Sequence, residues 1–312
     1  YGVLQLNTTG NENSGFGYYA LRSNTIGTSN SAFGSNALRN NTTGANNTAV
    51  GNQSLYNNTT GTANSAFGFQ SLTSNTIGTN NSAFGNYALK YNTTGSGNTS
   101  VGRAALLSNT IGTNNTAVGK DALYYNTTGV NNSAFGRYAL VNNITGTSNV
   151  AVGVNTLLSN TGGINNTAVG QQALNSNTTG GKNTAVGLQS LYVNTVGSNN
   201  SAFGNYALYT NTTNNNTAFG YSALRYNTIG VNNVAVGMQA LLYNTTGNGN
   251  TAVGLNSLLS NTIGKNNTAV GQQALTNNTT GIANSAFGYQ SLYNNTTNNN
   301  SAFGYKSLFT NT

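Results

Sequence analysis

Residues 115–131 read Asn115-Thr116-Ala117-Val118-Gly119-Lys120-Asp121-Ala122-Leu123-Tyr124-Tyr125-Asn126-Thr127-Thr128-Gly129-Val130-Asn131. The pattern recurs along the chain. A block of Ser, Thr or Val, then nearly always Ala, then Val or Phe, closes on 18 glycines from Gly17 to Gly304. Their spacing is 17 residues, except from Gly204 to Gly220 and from Gly288 to Gly304, where it is 16. Leu stands four residues after each glycine (Leu21, Leu38, Leu55, on to Leu308). Asn stands three after that (Asn24, Asn41, Asn58, on to Asn311), and a second Gly usually three later, as at Gly27, Gly44 and Gly61. A fixed period of this length is the signature of a stacked repeat architecture.

The unit is a poor helix. In a helix Gly costs about 1 kcal/mol relative to Ala, and Asn and Thr rank low; a helical-hairpin repeat also needs roughly 34 residues. Short β-compatible runs closed by Gly and Asn, which tolerate left-handed backbone angles at corners, fit better. The expectation is an all-β chain, a parallel β-solenoid (β-roll) of about 18 coils, one unit per coil, with two or three short strands in each. The two 16-residue coils agree. Residues 211–216 and 295–300 read Asn-Thr-Thr-Asn-Asn-Asn, with Asn214 and Asn298 where Gly is expected. A deletion at a corner is tolerated, whereas one inside a strand turns every later side chain to the other face.

At a strand spacing of about 4.8 Å, the coils stack into a rod on the order of 85 Å. Each coil buries its inner face only against its neighbours. On this reading the Val/Phe positions (Phe33, Val50, Phe67, Phe84, Val101) and the Leu positions form core ladders. Ala49 and its equivalents face the other side of the strand, where a small residue permits close approach within the coil or of another chain. Asn24, Asn41 and Asn58 form a ladder with amide-to-amide hydrogen bonds along the axis. The array covers 1–312 as one domain. Tyr1 and Thr312 fall in mid-repeat, which reads as a piece of a longer fibre.

The blocks Asn149-Val150-Ala151-Val152-Gly153 and Asn233-Val234-Ala235-Val236-Gly237 resemble the head repeat of YadA-like trimeric autotransporter adhesins. The wider pattern Asn-Thr-Ala-Val-Gly…Ala-Leu…Asn-Thr-Thr-Gly is similar to repeat regions of bacterial and phage tail-fibre proteins. The resemblance implies a left-handed roll and a surface fibre, extracellular or on a virion, built as a homotrimer or another homo-oligomer. Most copies here carry Thr or Ser where the adhesin repeat has Val, and the unit is longer.

Composition excludes much chemistry. The chain has no His, Cys, Pro or Trp, and only 4% of residues are charged. Its two acids, Glu12 and Asp121, lie 109 residues apart, so no pair of carboxylates can share a substrate within one chain. Without His or Cys there is no triad, thiol nucleophile or ordinary zinc site, and no P-loop is present. The reading is not an enzyme, with no cofactor. Apolar runs of a few residues span no membrane. Net charge is +8, from cations spread over the whole length, which argues for solubility rather than a nucleic-acid surface.

Three features are candidate sites. Arg103, Lys120 and Arg137 follow the block glycine on three consecutive coils. They read either as a docking stripe for an anion, such as an acidic sugar or a lipopolysaccharide phosphate, or as variable surface positions partly offset by Asp121. The ladder asparagines carry N-glycosylation sequons at Asn41, Asn58, Asn92, Asn126, Asn143, Asn177, Asn211, Asn244, Asn278 and Asn295, with a second set before the block at Asn46, Asn80, Asn114 and Asn199. They read either as carriers of a glycan coat or as good corner and ladder residues; a buried ladder Asn carries no glycan. Tyrosines just after the block glycine, such as Tyr138, or just after Leu, such as Tyr124, read either as exposed rings for stacking on sugars or on a neighbouring chain, or as β-favouring residues that stack rung on rung.

The leading function is a structural extracellular fibre. The alternatives are an adhesin or tail-fibre shaft that binds cell-surface glycans, and an ice-binding solenoid. The Thr-Thr corner, often Ile or Val at its second position, is a poor flat array for ice.

Overall fold

The structure, a computed structural model, describes residues 2–311; Tyr1 and Thr312, on which the mid-repeat ends were read, lie outside them. The chain forms two compact units, one ending at Gly162 and the other beginning at Gly163. Each is a parallel β-solenoid with nine block strands of three residues, from Ser14–Phe16 to Val150–Val152 in the first and from Thr167–Val169 to Ser301–Phe303 in the second. Like residues pair across successive rungs: Thr48 with Ser65, Ala49 with Ala66, Val50 with Phe67. The shortened coils keep this register, Ser201 pairing with Thr217 and Ala202 with Ala218.

Most coils have one strand, not the two or three expected. The cause is local. The second residue after the block glycine and the ladder leucine both hold left-handed backbone angles on each rung, as at Gln53 (φ 55°) and Leu55 (φ 50°). For residues with a Cβ this conformation costs roughly 1–2 kcal/mol each, and it ends the β-run. Hydrogen bonding between rungs continues through the turn all the same: Leu55 N donates to Ser71 O (2.9 Å) and Asn57 N to Thr73 O (3.0 Å).

The core corrects the expectation in one respect. The ladder leucines from Leu21 to Leu292 are fully buried, and so are the strand alanines from Ala32 to Ala286, whereas the Val/Phe positions point outward, Phe33 being 45% and Val101 37% exposed. The alternation along a strand puts either the middle residue or its two neighbours inside. The coil is too thin for the larger pair. At Ser100, which stands in the Ala position, the hydroxyl reaches the Ala105 carbonyl of the same coil at 2.8 Å. Opposite walls lie one small side chain apart, so only a methyl-sized group fits between them.

The block glycine is required by the same compactness. At Gly51, φ is 131°, and a Cβ would lie 2.6 Å from the Gly68 carbonyl oxygen of the next rung.

Candidate functional site

The most regular feature is a pair of internal asparagine ladders. In the first, Asn41 Nδ2 donates to Asn24 Oδ1 of the preceding rung (2.7 Å) and to Gly44 O of its own (2.9 Å). The link repeats from Asn24 to Asn160 in the first unit. The second ladder was not singled out from the sequence. Asn47 donates to Asn30 Oδ1 through both its backbone N (3.0 Å) and Nδ2 (3.2 Å), and to Gly61 O of the next rung (2.8 Å). A buried amide costs free energy unless it is bonded. These two columns bond to each other's rungs, and so hold like coils in register.

This geometry decides the sequons. Asn41, Asn58, Asn92, Asn126, Asn143, Asn177, Asn211, Asn244, Asn278 and Asn295 are all fully buried. In the folded chain they are ladder members, enclosed within the coil. The second set, Asn46, Asn80, Asn114 and Asn199, is exposed on the corner.

One shortened coil interrupts the first ladder. Asn211 Nδ2 donates to Thr213 O (2.8 Å), and the buried Asn194 Oδ1 of the rung before is left without a partner. The Thr213 carbonyl takes the part of the usual Gly carbonyl, also accepting from Asn200 Nδ2 (2.6 Å). The Thr213 hydroxyl donates to Gly230 O (2.7 Å), the next-rung carbonyl that crowds a glycine elsewhere. Asn214 thus sits one corner position later than the sequence suggested, its Oδ1 accepting from Ser198 N (2.7 Å).

Arg103, Lys120 and Arg137 lie on successive rungs, and all three are exposed. Their backbones are tied through the neighbouring residue: Asp121 N donates to Arg103 O (3.0 Å) and Tyr138 N to Lys120 O (3.1 Å). Asp121 Oδ2 lies 3.7 Å from Arg103 Nη2 and 3.9 Å from Lys120 Nζ, so one carboxylate serves two of the cations. Arg137 lies over the Tyr138 ring, 4.6 Å from its centroid, and donates to the phenol oxygen (3.3 Å). That hydrogen bond, with the charge of Lys120, holds the Tyr138 hydroxyl below the usual phenol range, and the same bond raises Arg137. Burial, then Tyr125, pushes Tyr124 up. Arg103, Asp121, Tyr124, Tyr125, Tyr138 and Val141 line a shallow depression of about 270 Å³.

Two further grooves lie between the second residue after the ladder Leu and the Thr corner. One, of about 500 Å³ in the second unit, is walled by Tyr226 and Tyr243, whose rings stack at 5.6 Å. The other, of about 430 Å³ in the first unit, includes Tyr125, Thr127 and Ile144. The first threonine of most corners turns its hydroxyl onto the protein, as Thr42 does. Thr42 N, Thr42 Oγ1, Thr43 N and Gly44 N all donate to Thr59 O, at 3.0–3.2 Å.

No family model and no curated protein matches this chain. Among the described residues there is no cluster of three or more His, Cys, Asp or Glu, and no helix long and apolar enough to cross a membrane.

Proposed function

We propose that this chain is a shaft segment of an extracellular structural fibre, homo-oligomeric in its assembled form. The observation that carries the reading is the amide ladder that repeats rung after rung from Asn24 to Asn160. Side chains are spent on holding like coils together, and the ladder runs unbroken through every rung of that stretch. A stack stabilised by nearest-neighbour contacts lengthens without redesign, which suits a spacer. Its glycan coat belongs on the exposed corner residues Asn46, Asn80, Asn114 and Asn199.

A second reading, a shaft that also binds acidic glycans, is favoured by the depression beside Arg103 and Arg137, where tyrosines and cations alternate. Sugars stack on such rings, and their carboxylates or sulfates pair with Arg. A glycan array separates the two. The fibre reading expects no binding above background together with elongated particles in electron micrographs. Saturable binding of acidic oligosaccharides, lost in Arg103→Ala, overturns it in favour of the second.

A further inference from the structure

The outward face of the block strands has a rule of its own. Its first and third positions are never charged, being Ser, Thr or Val at the first and Val or Phe at the third. They are matched in size. All 8 rungs with Ser at the first position have Phe at the third. All 9 rungs with Val at the third have Thr or Val at the first. Thr217 with Phe219 is the one exception among 18. The summed bulk of the two outward side chains is thus held nearly constant from rung to rung, although both positions border solvent, Phe135 being 42% and Val152 37% exposed.

We infer that this face pairs with the same face of a second copy of the chain, through a two-fold axis parallel to the stacking direction. Such an axis keeps the order of the rungs and reverses the strands. The first position of each rung then lies over the third position of the same rung in the partner. Ser82 meets the partner's Phe84, and Thr116 the partner's Val118. Small lies over large and medium over medium, and the two sheets keep one separation along their length, as close-packed sheet faces about 10 Å apart require.

Three considerations select a second copy as the occupant. The face carries no charge, so a highly charged partner gains nothing from it, whereas an identical apolar face does. The partner must repeat at the rung spacing of about 4.8 Å, and a sister chain does so by construction. The face of one unit, nine rungs by a three-residue strand, measures about 40 by 10 Å, so two of them bury about 800 Å². That lies at the low end for a specific contact, where about 1,200 Å² marks a stable one, and each chain carries two such units. Pairing is therefore reversible and concentration-dependent.

The inference deepens the homo-oligomeric part of the proposed function and rests on it; glycan binding is read separately and leaves its outcome untouched. The test is sedimentation equilibrium of the full chain at physiological salt, over a wide concentration range. The expected result is a monomer–dimer equilibrium that strengthens with added sulfate, as apolar contacts do. Two sets of variants then probe the matching. One carries Ser65→Phe, Ser82→Phe and Ser133→Phe; the other carries Phe67→Ser, Phe84→Ser and Phe135→Ser. Alone, each pairs at least tenfold more weakly, the first through overpacking and the second through voids. Mixed in equal amounts they form heterodimers, because every Phe of one chain then faces a Ser of the other.

Should the first set not fold by circular dichroism, the second alone decides: pairing lost supports the inference and pairing kept overturns it. A wild-type chain that stays monomeric, a trimer, or a mixture that regains no affinity also overturns it. The last of these outcomes assigns the size matching to packing within one chain.

Discussion

Replacing Asn126 by alanine tests whether the amide ladder carries the fold. Asn126 is fully buried. Its Nδ2 donates to Asn109 Oδ1 (2.7 Å) and Gly129 O (3.1 Å), and its Oδ1 accepts from Asn143 Nδ2 (2.8 Å). Alanine deletes all three bonds. Gly129 O keeps its bond from Asn115 Nδ2 (2.8 Å), and Asn143 Nδ2 keeps Gly146 O (3.0 Å). The damage therefore falls on Asn109 Oδ1, left without a donor, and on one N–H of Asn143. Each orphaned buried group costs about 1–3 kcal/mol, and the vacated volume adds to that, so the expected loss is about 3–6 kcal/mol. Urea unfolding followed by circular dichroism measures it.

Because each rung contacts only its neighbours, hydrogen exchange should rise around residues 109–143 and stay at the wild-type level several rungs away. A loss under about 1 kcal/mol, or a uniform rise in exchange, refutes the claim that the ladder ties the rungs together. Asn126→Asp adds a sign. The substitution places a carboxylate oxygen against two acceptors, so its folded-state pKa rises above the unfolded value of about 4. The variant should be most stable below pH 4 and lose stability as pH rises through the raised value.

Gly51→Ala should cost at least about 3 kcal/mol by the same unfolding assay, since φ of 131° is nearly closed to residues with a Cβ and the new methyl meets the Gly68 carbonyl. Ala117→Leu should destabilise by more than about 3 kcal/mol, because the gap behind the strand admits a methyl only, while Val118→Ala on the outward face changes monomer stability by under about 1 kcal/mol. Inserting one glycine between Thr213 and Asn214 should stabilise the chain by about 1–2 kcal/mol, by returning a donor to Asn194 Oδ1; a loss of stability shows that the short corner is fitted to its neighbours. In a spectrophotometric titration, Arg137→Gln should move the Tyr138 phenol back up toward its ordinary value, because the bond that lowers it is gone.

The 17-residue period at Gly51, Gly68 and Gly85, and the helix-hostile content of each unit, were enough to specify a parallel stack with like residues above one another, since one register alone aligns every Leu and every Asn. The column through Asn24, Asn41 and Asn58 was legible for the same reason. The Ser–Phe and Thr–Val matching also lay in the sequence, as a pairing of residue types two apart.

Which side of the strand faces inward was not legible. Alternation is symmetric between Ala49 and the pair Thr48 and Val50, and apolar content favours the wrong answer. The distance between opposite walls decides it, and that distance is set where the chain turns back through the left-handed residues Gln53 and Leu55. The same compaction buries Asn41 while leaving Asn46 exposed, though both head a sequon. A sequence motif specifies the chemistry of a side chain; only the closed coil determines whether anything outside can reach it.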